Sequence, residues 1–90
     1  MSRYGWKAKH RAIHVAQRLA ERYNLEVSRA DIDDIEAAVN TLERKDFFPS
    51  GQQHTDRCLF YYQDKLILAV VSRPAYRGNP RHILTVLPND

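Results

Sequence analysis

Two histidines four residues apart, His10 and His14, sit among Lys7, Arg11 and Arg18 near the start of this 90-residue chain. Imidazole titrates near neutral pH, so either ring can give or take a proton, and side chains at i and i+4 share one helix face. A second set lies in the C-terminal part: Arg57, Tyr61, Arg81 and Thr85, two guanidinium groups and two hydroxyls suited to holding a phosphate. A third, Arg73, Tyr76 and Arg77, interleaves an aromatic ring with two cations, as a clamp on single-stranded nucleic acid does. Each residue also has a plainer role: a histidine on a basic helix is commonly solvated surface, Tyr61 sheet packing, Thr85 a good strand former and Arg81 the guard of a sheet edge.

These groups act together only if the fold gathers them. Ala12, Ile13, Ala16, Leu19, Ala20 and Tyr23 recur at helical spacing and predict a helix over about 4–23, with Lys7, Arg11, His14 and Arg18 as its polar stripe. Asn24 is a helix stop. Ser28 and Asp31 form a capping box that opens a second helix over about 29–44, with Ile32, Ile35, Val39 and Leu42 as its apolar seam. From Lys45 to Asp56 periodicity is lost and a loop is expected. Strands follow over about 57–62, 66–72 and 81–87, the first two joined by a tight turn at Gln63-Asp64-Lys65. The order predicts a single α+β domain, 1–90, with two N-terminal helices packed on one face of a three-stranded antiparallel meander. If Cys58, Phe60, Tyr62, Leu84 and Val86 face the helices, then Arg57, Tyr61, Arg81 and Thr85 gather on the open face.

Composition bounds the partners. The net charge of +3 is unevenly spread: residues 1–22 carry six Lys or Arg against one Glu, 23–56 three against eight acids, and 57–90 five against two. Two basic segments flank an acidic middle, and a polyanion feels such local potential more than net charge. The single Cys58 has no partner for an intramolecular disulfide, no apolar run reaches membrane-spanning length, and residues 1–9 lack the apolar centre of a signal peptide. A cytoplasmic protein that makes no use of a membrane is the expectation.

The chain resembles the barnase, EndoU, colicin and RelE-like group, the BECR fold of small metal-independent ribonucleases, many of them toxins. The resemblance lies in one or two N-terminal helices before an antiparallel sheet, in His10 and His14 on the first helix, in Thr85-Val86-Leu87-Pro88 at the last strand, and in "FYYQDKLILAVV" and "ILTVLP". It implies RNA cleavage without a cofactor, by attack of the ribose 2′-hydroxyl. That chemistry needs a base, an acid for the departing oxygen, and donors where charge grows on the phosphoryl oxygens. His14, with His10 second, would be base or acid. Arg57 and Arg81 would stabilise the phosphate, and Tyr61 and Thr85 would position it. Lys7, Arg11, Arg18, Arg73, Tyr76 and Arg77 would bind the rest of the RNA, whether tRNA or mRNA, and an antitoxin or host protein is an expected partner. The chain ends without a basic residue after Arg81, a departure from the denser basic C-terminus of RelE-like members.

Other readings stay open. His10 and His14 have zinc-ligand spacing, with His54 or Cys58 as conceivable partners, but Lys7 and Arg11 would repel a cation, so no metal is assigned. The same arginines could serve a module that binds nucleic acid without cutting it. The acidic second helix, with Asp33, Asp34 and Glu36, could instead dock a small phage-type inhibitor on its target. The catalytic scheme depends on one condition: Arg57 and Arg81 must emerge together on the open face, near a helical imidazole.

Overall fold

A computed structural model describes residues 3–52, 54–74, 76 and 78–88, with the side chains of 3–9 outside that description. Helix α1 spans Arg3–Tyr23 and helix α2 Arg29–Val39; a short 3-10 turn, Arg44–Asp46, leads into strands β1 (Phe47–Pro49), β2 (Thr55–Tyr62), β3 (Lys65–Ser72) and β4 (Ile83–Leu87). The class is α+β, with two helices and one four-stranded antiparallel sheet in the order β1-β2-β3-β4.

Local chemistry sets the boundaries. Asn24 ends α1 in the left-handed region, φ 55°, a conformation that asparagine tolerates better than most residues. The Ser28 hydroxyl accepts from the Asp31 N–H at 3.2 Å and the Asp31 carboxylate accepts from the Ser28 N–H at 2.8 Å, the reciprocal capping box that opens α2. Helix α2 stops at Val39, short of the expected 44, because Asn40 turns its side-chain amide to Arg81: it donates to the Arg81 carbonyl at 3.0 Å and accepts from the Arg81 N–H at 2.8 Å. Gln63 and Asp64, both at positive φ (48° and 64°), make the two-residue turn between β2 and β3 whose twist suits a hairpin.

The core lies between both helices and one sheet face. Val15 and Leu19 of α1 and Ile32, Ile35 and Val39 of α2 pack with Cys58, Phe60, Ile67, Ala69, Val71, Ile83 and Val86. The α1 stripe is thus rotated from the expected one: Val15 is fully buried, whereas Ile13 is 50% exposed. Two further expectations change. Phe47–Pro49, expected as loop, pairs with Asp56–Cys58 as a fourth, edge strand. And β4 slips by one residue against β3, so that Val70 faces Thr85 while Val71 faces Ile83. Leu84 is the extra residue of that bulge, which brings Ile83 and Val86, rather than Leu84 and Val86, onto the core side.

Helix α1 also covers the free edge of β4. Arg22 donates to the Val86 carbonyl, and the Tyr23 hydroxyl donates to the Leu87 carbonyl while accepting from the Leu68 N–H at 3.0 Å. Tyr23 therefore bridges the end of the β3–β4 ladder. Glu36 of α2 accepts from the Ile83 N–H at 2.8 Å and fixes the other end of the strand.

Candidate nucleic-acid interface

Cross-strand register brings Arg57, Val70 and Thr85 into one row on the face away from the core, with Leu59, Leu68 and Leu87 in the next. Tyr61, paired with Leu66 and 75% exposed, stands on the same face. Partners directly opposite share a face, and two strand spacings separate Arg57 from Thr85 by roughly 10 Å. At the β4 end of that row the His14 ring nitrogen Nε2 lies 3.1 Å from the Thr85 hydroxyl oxygen, a partly buried hydrogen bond. A helix packed behind the sheet thus delivers one imidazole to the strand bearing Thr85.

Arg11 and Arg18 flank His14 on α1, about one helical turn away on either side. Arg18 pairs with Glu21, and Arg11 approaches Glu36 at 3.9 Å. The Arg18–Glu21 pair is a surface pair, worth about 0.2–1 kcal/mol, whereas Arg11 and Glu36 are 23% and 16% exposed; for both arginines a bidentate phosphate is the stronger partner.

Arg81 is placed differently. Its guanidinium donates from Nη1 to Asp56 Oδ2 at 2.7 Å and stacks on the Phe47 ring, 3.9 Å from the centroid. Asp56 shares the helix-facing side of β2 with Cys58 and Phe60, and it also accepts from Arg73 Nη2 at 2.7 Å. Arg57 and Arg81 therefore lie on opposite faces of the sheet, and the arrangement expected of them is not assembled. The physical reason is a buried carboxylate. Hydrogen bonds from Arg73, and then from Arg81, hold the Asp56 carboxyl below its ordinary 3.8 despite burial, and removing Arg81 from it would leave a charge uncompensated.

The remaining residues divide. His10 is exposed on α1; Lys7 lies in α1 with its side chain outside the described set, and Arg77 lies outside the described residues. Arg73 and Tyr76 sit apart from His14, beside Asp56 and a cleft. Arg57 donates from Nη2 to the Ser50 carbonyl at 3.0 Å, and its Nε is buried with no hydrogen-bond partner. Of the acidic trio on α2, Asp33 and Asp34 are exposed, whereas Glu36 is turned inward to β4. Sequence reasoning passed over Asp56 and Asn40, and it gave Glu36 only a role in docking. Asp56 left a signal: an acid two residues before Cys58 and four before Phe60 is a charge on an apolar strand face.

Cys58 is fully buried, and burial pushes its thiol up to about 11, which leaves it a poor metal ligand. Among the described residues no group of three His, Cys, Asp or Glu side chains comes together to hold a metal ion, and no helix is long and apolar enough to cross a membrane. The class is a two-layer α+β domain with one uncovered antiparallel sheet face. No protein-family model, curated protein or solved structure matches the chain.

Proposed function

We propose that this protein binds RNA across the open sheet face, from Tyr61 and Arg57 to the Thr85–His14 pair, with Arg11 and Arg18 of α1 engaging the backbone at the β4 edge. One observation carries the reading: register sets Arg57 and Thr85 in one row, and Thr85 is hydrogen-bonded to an imidazole flanked by two guanidinium groups. An exposed aromatic ring on a sheet offers a stacking surface for an unpaired base, and the leucines around it favour base over phosphate there. The test is binding of a single-stranded RNA oligonucleotide by wild type and by Tyr61→Ala. Stacking contributes about 1–3 kcal/mol per base, so the variant should bind roughly 5- to 150-fold more weakly; equal affinity would remove Tyr61 from the surface.

Cleavage of the bound strand is a second reading, favoured by the His14–Thr85 hydrogen bond. It is the reading to which the resemblance to BECR ribonucleases belongs. A hydroxyl that fixes an imidazole supplies an oriented proton acceptor, and with Arg81 withdrawn the cations would be Arg57, Arg11 and Arg18. Incubation with RNA in EDTA separates the two. Products that vanish with His14→Ala support cleavage, whereas intact RNA under conditions of saturated binding leaves the binding reading alone.

A further inference from the structure

The cluster around Asp56 plays no part in the open face, yet it forms one wall of an open cleft of about 900 Å³, within the range of small-molecule sites. Arg44, Arg73 and Arg81 line it together with Asp56, Phe47 and Tyr76. One carboxylate cannot neutralise three guanidinium groups, so the cleft carries an excess of positive charge. Asp56 instead organises it. By accepting from Arg73 and from Arg81, each at 2.7 Å, it fixes two guanidinium groups side by side, and the Phe47 ring supports the second from below. Arg73 remains half exposed, and Tyr76 stands 76% exposed at the rim. Gly78, at φ +92°, also lines the cleft.

We propose that this cleft is a second binding site, for a nucleoside phosphate. Its phosphate lies against Arg73 and Arg44, and its base stacks on Tyr76. The site requires both parts of such a ligand: guanidinium groups recognise the phosphate bidentately, and an exposed aromatic ring among cations recognises a planar base. A free anion would leave Tyr76 unused, and an uncharged nucleoside would leave the arginines so.

Isothermal titration of the full chain with adenosine monophosphate, adenosine and inorganic phosphate tests the assignment. Saturable binding of the nucleotide at least about fivefold tighter than of phosphate or adenosine is expected, with Tyr76→Ala weakening the nucleotide roughly fivefold or more and leaving phosphate unchanged. Arg44→Ala should weaken nucleotide and phosphate together, whereas Arg29→Ala, an exposed charge elsewhere, should weaken neither. The three substituted residues, Tyr76, Arg44 and Arg29, are all exposed, and thermal unfolding of each variant confirms that it is intact. Phosphate bound as tightly as the nucleotide, nucleotide binding indifferent to Tyr76 and Arg44, or no saturable heat with any of the three would overturn the proposal.

Discussion

His14 and Thr85, 71 residues apart in sequence, meet through a 3.1 Å hydrogen bond that joins the first helix to the last strand. The bond closes the long loop between the chain's two ends, and a partly buried side-chain hydrogen bond contributes about 1 kcal/mol. A double-mutant cycle of His14→Gln and Thr85→Val, read by urea unfolding, should return a coupling energy of about that size. Strictly additive losses would mean that the two side chains do not interact.

Asp56→Ala should destabilise the fold by about 3 kcal/mol, since it leaves Arg81, whose side chain is only 15% exposed, without its carboxylate. The urea midpoint is the measure. A loss no larger than that of an exposed acid such as Asp33→Ala would show that the Arg73–Asp56–Arg81 cluster holds nothing together.

Acid should reveal the same carboxylate. The Asp56 carboxyl is held below its ordinary 3.8 by the two guanidinium groups, so the native state binds its proton less readily than the unfolded chain does. Its contribution is complete above 3.8 and is lost as pH falls through the lower folded value. Unfolding free energies measured between neutral pH and pH about 2 should therefore fall more steeply for wild type than for Asp56→Ala. Parallel curves would contradict the assignment.

Cys58 should resist alkylation. Its side chain is fully buried and its thiol pushed up to about 11, so thiolate is scarce near neutral pH and access is closed. Labelling by iodoacetamide should keep pace with global unfolding in added urea; rapid labelling of the native protein would refute this packing.

What could be read from sequence follows the range of the interactions. Ser28 and Asp31 announced the start of α2 because a capping box is complete within four residues. The core seam of Ile32, Ile35 and Val39 was equally legible from its period. The end of that helix was not, because Asn40 is drawn off by the backbone of Arg81, 41 residues away. The β1 edge strand, three residues ending in proline, is too short to show a period. The one-residue slip between Val70 and Val71 has no local mark, yet it turns Ile83 rather than Leu84 toward the core. Arg57 and Thr85 came out on the expected face and His14 came to meet Thr85; Arg81 did not join them, since the partner that captures it, Asp56, reads as the end of a loop.

The central claim is that RNA lies along the open face and the α1–β4 edge. Its most direct test is the salt dependence of single-stranded RNA affinity, measured by fluorescence anisotropy in EDTA, for wild type and for the double variant Arg11→Ala/Arg18→Ala. Each phosphate contact on a single strand contributes about 0.7 to the slope of log affinity against log salt, so the double variant should bind more weakly with a slope shallower by about 1.4. An unchanged slope, or affinity indifferent to salt in the wild type, would contradict it.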